Sequence, residues 1–147
     1  MAGVAPGPSG EARCDRWVWL GIAAGASLAL VVARALAPAP GGVGTHEQLG
    51  LPPCAFLALT GWPCPSCGLT TSFAHAARLD FGRALVTQPF GLLAFGLTLL
   101  LIPLALGLAR ARVPWSRLIF ARGADLVIYT LLALYLLSWL YKIAAMR

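Results

Sequence analysis

Charge is what this sequence has least of. Charged residues make up 11% of the 147, against 59% hydrophobic ones, and the mean hydropathy is +0.80. So few charged groups cannot cover a water-facing surface, which excludes an ordinary soluble protein, and the length allows one domain. Lysine- and arginine-rich tracts with interleaved aromatics are also missing. The net charge of +6 therefore does not point to nucleic acid; the arginines stand at the ends of apolar runs, where membrane proteins carry them. Further absences narrow the chemistry of the cysteines. Only one CxxC pair is present, Cys64 and Cys67, and no βαβ alternation surrounds it, so a thioredoxin-like domain is not indicated. Gly68 occupies the position where a CxxCH motif needs histidine, which excludes covalent haem attachment.

What the chain does have is long apolar runs. Residues 17–37, 90–109 and 126–141 are each read as a transmembrane helix, since about 20 apolar residues at about 1.5 Å each cover a hydrocarbon core of about 30 Å. In the first run Trp17 and Trp19 suit the interface, and Arg34 sits near enough to the end to snorkel to the headgroups. Ala35-Leu36-Ala37 has the form of a signal-peptidase site, but Pro38 would follow the cut, so the run is read as an uncleaved anchor. Pro103 predicts a kink in the second run, and Asp125 a cap at the start of the third. Residues 1–16 are read as a disordered tail and 17–147 as a single helical membrane domain. Cys14, between tail and membrane, is read as a free thiol in preference to a palmitoylated one.

Between the first two spans lies the cysteine segment, residues 54–88. Cys54, Cys64 and Cys67 fall within it, and His46 before it is read as a solvated loop residue. Ser66 predicts a cap for a helix running to Leu79, which would set Cys67, Thr71, His75 and Arg78 on one face. Asp80 predicts the cap of a further short helix from Phe81 to Thr87, ended by Pro89. The fold expected is all-α: an integral membrane protein with three spans and a short helical cysteine segment open to a re-entrant path.

Three readings of the cysteines compete. In the leading one the turn is structural, stabilising the segment or a contact with another membrane protein. In the second, Cys64 and Cys67 are the reactive pair of a membrane thiol–disulfide oxidoreductase, with Cys67 the more acidic thiol because it would sit at a helix N-terminus. In the third, Cys54, Cys64, Cys67 and His75 hold a structural zinc, although Cys67 and His75 would stand two helical turns, about 11 Å, apart. No other cofactor is expected. The lipid bilayer is the partner the composition demands.

The run Leu59-Thr60-Gly61-Trp62-Pro63-Cys64-Pro65-Ser66-Cys67-Gly68-Leu69-Thr70, with Cys54 before it and Leu79-Asp80-Phe81 and Gln88-Pro89 after it, resembles a bacterial membrane-protein family known as domain of unknown function 2752. The resemblance covers about residues 54–108. It implies a multi-span helical protein of a bacterial cytoplasmic membrane and brings no activity with it. Thr71 stands where the family tends to have Arg, and Gln88 where it tends to have Asn; Arg78 is expected to supply the missing charge near Asp80. The arginines at 110, 112, 117 and 122, with Trp115, place the loop between spans two and three inside. The N-terminus is then inside and the cysteine segment extracytoplasmic.

Overall fold

Every element among the described residues is helical. The computed structural model describes residues 8–114 and 123–146, with side-chain surroundings from Asp15 onward. Trp115, Arg117, Arg122, Arg147 and the side chain of Cys14 lie outside the described residues. In chain order the elements are α1 (Pro8–Ala35), a 3-10 turn (Thr45–Leu49), α2 (Ala55–Thr60), α3 (Leu69–Ala76), α4 (Phe81–Thr87), α5 (Pro89–Ala111) and α6 (Ala124–Ala145). Three stretches are long and apolar enough to cross a membrane: Asp15–Ala35, Pro89–Ala111 and Ala124–Ala145. The protein is an integral membrane protein with three such helices. The first helix starts at Pro8, so residues 8–16, read from the sequence as tail, continue it. Proline at a helix start loses no bond the helix would have made, and Glu11, Ala12 and Arg13 are good helix formers.

α1 and α5 form the main pair. Trp19, Ala23, Ala105 and Ala109 are buried between them, with Leu20, Ile22 and Leu108 alongside. Small residues suit such a seam, because two helices in lipid gain chiefly from close backbone approach. The Trp19 indole donates to the Val113 carbonyl at 2.8 Å, tying the start of the first span to the end of the second. Apolar residues such as Leu28 (63% exposed), Leu100 (67%) and Leu126 (71%) face outward. In water each would forfeit about 1.5–3 kcal/mol of burial, whereas a bilayer covers them.

The short helices fill one end of this pair. Ala76, Ala84 and Phe95 form a second cluster with Leu30, Phe73, Ala77 and Leu92, which seats α3 and α4 against α1 and α5. Gly91 permits the closest approach: a Cβ there would lie 2.6 Å from Cβ and Oγ of Ser72 on α3. The Ser72 hydroxyl lies 2.9 Å from the Ala84 carbonyl and 3.1 Å from that of Gln88, so both carbonyls share one buried donor. α6 packs more sparsely, with Phe90 edge-on to Tyr135 at 5.2 Å and the Phe90 N–H donating to Ser138 Oγ at 3.0 Å.

Two expected caps are replaced. Gly68, at φ 88°, precedes α3 in the left-handed region, so the helix starts at Leu69 and Ser66 does not cap it. At its far end Leu79 takes φ 64°, and the helix closes at Ala76. Gly123, not Asp125, precedes α6; Asp125 stands in its first turn, where an acid favours the positive end of the helix dipole. Asp80 does cap α4, accepting from the Arg83 N–H at 3.2 Å. The α5 helix runs on through Pro103.

Candidate thiol site

The chain reaches the site through a series of turns that the sequence punctuates with proline and glycine. Pro52 and Pro53 lead into Cys54, which precedes α2; Gly61 ends α2 at φ 71°, and Pro63 and Pro65 flank Cys64. The Cys67 N–H donates to the Cys64 carbonyl at 3.0 Å, closing a tight turn. Gly68 then reverses the chain. A Cβ at that position would sit 2.8 Å from the Gly42 carbonyl, so only glycine lets the turn lie against the loop that follows α1.

These turns gather three thiols. Sγ atoms of Cys54, Cys64 and Cys67 all lie within 4.8 Å of one another. All three cysteines are free; the Cys64 and Cys67 sulfurs are hydrogen-bonded at 3.2 Å, and Ser66 Oγ lies 3.4 Å from the Cys64 sulfur. Cys67 is buried while Cys54 and Cys64 are half-buried. They line a cleft of about 380 Å³ whose wall also includes His46, Glu47 and Thr71.

The two thiols of the pair differ in acidity. Burial pulls the Cys64 thiol upward, but hydrogen bonds with Ser66, Cys67 and Cys54 outweigh it and bring the thiol down to about 7. For Cys67, burial comes first and the bonds with Cys64 and Cys54 act in the same direction, so it is pushed up to about 12. The helix-dipole expectation is thereby reversed. Cys67 lies ahead of the N-cap and is 6% exposed, and loss of solvent outweighs a dipole that begins two residues later. Once Cys64 has lost its proton, the Cys67 thiol is the donor between them.

His75 is not brought to the sulfurs. Its Nδ1 lies 3.4 Å from Asp80 Oδ2, so the expected fourth ligand is paired elsewhere. Among the described residues Arg78, expected to stand in for the family arginine, forms no ion pair with Asp80, which is paired with His75 and Arg83; the Arg78 guanidinium donates to the Ala33 and Ala74 carbonyls at 3.3 and 3.0 Å. Thr71, at that family position, shares a 2.8 Å hydrogen bond with Thr45, which in turn accepts from the Ala39 N–H at 2.9 Å. A buried hydroxyl pair thus fastens α3 to the 3-10 turn. His46, expected to be solvated, lies within 3.2 Å of the Pro52 carbonyl on the cleft wall.

Three residues that support the turn escaped the sequence reading. Gln88 is fully buried and its Nε2 donates to the Pro65 carbonyl at 3.2 Å, while Oε1 has no partner among the described residues. Trp139 donates from its indole to the Pro63 carbonyl at 2.8 Å. Lys142, 5% exposed, donates from Nζ to the carbonyls of Gly42 at 3.3 Å and Thr87 at 3.0 Å. Only Gln88 carried a signal, as a departure from the family pattern.

Residues 54–102 match the family described as Protein of unknown function (DUF2752), the family that the cysteine turn resembles. The matched stretch holds the three clustered cysteines, α2 to α4 and the first part of α5. No curated protein and no solved structure matches the chain.

Proposed function

We propose that this protein is a membrane-anchored thiol centre that binds one thiophilic metal ion through Cys54, Cys64 and Cys67 on the extracytoplasmic face of a bacterial cytoplasmic membrane. The observation that carries the reading is the convergence of three free sulfurs within 4.8 Å on a cleft open enough for an ion to reach them. Thiolates are soft donors that select zinc, Cu(I) or iron–sulfur clusters over the hard cations. Binding would release the protons the ligands carry, so uptake should weaken as pH falls. The sidedness rests on the arginines that follow α5 and on the cysteine turn lying at the opposite end of the α1–α5 pair from Trp19 and Val113.

The test is the metal content of full-length protein purified in detergent and offered zinc or Cu(I). One equivalent is expected, held more weakly in Cys67→Ser and unchanged in His75→Ala. Metal-free, fully helical protein that takes up neither ion would defeat the reading and return the turn to a structural or partner-binding role.

A second reading is favoured by one observation, the 3.2 Å separation of Cys64 and Cys67 sulfurs. In thiol–disulfide exchange the Cys64 thiolate would attack an incoming protein disulfide, expelling one thiolate and forming a mixed disulfide. Cys67 would then give up its proton and attack the Cys64 sulfur, expelling the second thiolate. The chain's pair would be oxidised and the incoming disulfide reduced. Cys67→Ser should then accumulate mixed disulfides in cells; their absence, with an inert Cys64, would remove this reading.

A further inference from the structure

The identity of the ion can be narrowed, and the argument rests on the metal reading above. Among the described residues no fourth ligand accompanies the three sulfurs. His75 is paired with Asp80, and His46 is held at the Pro52 carbonyl. The carboxylate of Glu47 folds back over its own turn, its Oε1 2.9 Å from where a Gly44 Cβ would be. A structural zinc site is almost always four-coordinate, whereas a soft monovalent ion is satisfied by two or three sulfurs. A metal–sulfur bond of about 2.3 Å asks three sulfurs around one ion to stand roughly 4 Å apart. The trio is already near that spacing.

Charge supplies a second, independent observation. Lys142 reaches the turn from the last span, and its Nζ lies 3.1 Å from where a Gly68 Cβ would stand. It is buried, its two hydrogen bonds go to neutral carbonyls, and among the described residues no carboxylate pairs with it. A buried cation without a counter-ion is strongly unfavourable. Gly68 directly follows Cys67, so the ammonium stands beside the sulfur cluster, which becomes anionic when its thiols give up their protons to a metal ion. Three thiolates on a monovalent ion leave a complex of charge about −2, more negative than the same set on zinc, so it gains more from that ammonium.

We infer that the site holds a soft monovalent d10 cation, Cu(I), by the sulfurs of Cys54, Cys64 and Cys67 alone, with Lys142 as its charge partner.

The experiment uses the full-length chain in detergent, in a Cys14→Ser background and without oxygen. Cu(I) is delivered from its bicinchoninate complex and Zn(II) as the sulfate, in separate titrations. X-ray absorption reads the donor atoms, and circular dichroism confirms that each variant keeps its helix content. One Cu(I) bound by three sulfurs with no nitrogen or oxygen is expected. Cys54→Ser should lower the sulfur count to two. Lys142→Gln should weaken Cu(I) binding by roughly 10- to 100-fold, as loss of an outer partner does, and Lys142→Arg should restore most of it. Cu(I) on two sulfurs only, indifferent to Cys54→Ser and Lys142→Gln, would overturn the inference while leaving a metal site. So would one equivalent of Zn(II) completed by a nitrogen, a carboxylate or water in a protein that fails to hold Cu(I) on three sulfurs. Uptake of neither ion would overturn both the inference and the reading beneath it.

Discussion

Replacing Gly68 by alanine asks how tightly the cysteine turn is pressed against its neighbours. Two costs arise. The first is conformational: at φ 88° an L-residue sits in the left-handed region, at about 1–2 kcal/mol. The second is steric. The new Cβ would meet the Gly42 carbonyl oxygen at 2.8 Å, a backbone atom that cannot swing aside, and Lys142 Nζ at 3.1 Å. Forcing such a contact costs about 1–3 kcal/mol. Gly61→Ala is the matched control, because Gly61 has φ 71° and open space around its would-be Cβ. Both variants gain similarly from a stiffer unfolded chain, so that contribution cancels. Gly68→Ala should therefore be less stable than Gly61→Ala by about 1–3 kcal/mol, roughly 5- to 140-fold in the folded-to-unfolded ratio. Reversible unfolding in mixed detergent micelles measures both, and alkylation of Cys67 should quicken only in Gly68→Ala. Equal destabilisation of the two variants, within about 0.5 kcal/mol, would refute the close contact between turn and loop.

At the α3–α5 contact, Gly91→Ala gains about 1 kcal/mol of helix propensity but drives a Cβ to 2.6 Å from Ser72, so a net loss of stability of about 1–2 kcal/mol is expected in the same unfolding assay. Alkylation of Cys64 in the metal-free protein should rise as pH passes through about 7, since thiolate is the reactive form and its fraction grows above that value; Cys67 should remain protonated and slow until far higher pH. In a background lacking native cysteines, Gly41→Cys and Ser116→Cys should label from opposite sides of the membrane, with position 41 reached by an impermeant reagent added outside. Labelling of position 116 by that reagent would invert the orientation.

The spans were legible because hydrocarbon leaves no alternative: an apolar run of that length must satisfy its own backbone bonds as a helix. Asp80 was legible as a cap because an aspartate directly before a helix has a local task, and the end of α4 because the residue before a proline is turned away from helix; that Pro89 itself opens α5 was not read. The errors at the site have a different origin. Ser66 looked like a cap until Gly68 took the left-handed conformation that set the helix start two residues past Cys67. His75 looked like a ligand because spacing alone does not reveal that Asp80, across a turn governed by Leu79, lies nearer than the sulfurs. The order of acidity of the two thiols was hidden for a similar reason: burial leads it for Cys67, and local spacing does not show that Cys67 is buried. Trp139 and Lys142 gave no local sign at all. Both lie near the end of the last helix and act on carbonyls 76 and 100 positions away.

Those long separations bear on how the molecule is made. Pro63 leaves the ribosome well before Trp139, and at about 5–20 residues per second the 76 intervening positions take roughly 4–15 seconds. Throughout that interval the cysteine turn lacks the indole that later holds Pro63 and the ammonium that later lies over Gly68. Newly made thiols are thus open to whatever oxidant or ion they meet first. They acquire their final surroundings only when the last helix enters the bilayer, so a prematurely terminated chain would carry all three cysteines and still present an unfinished centre.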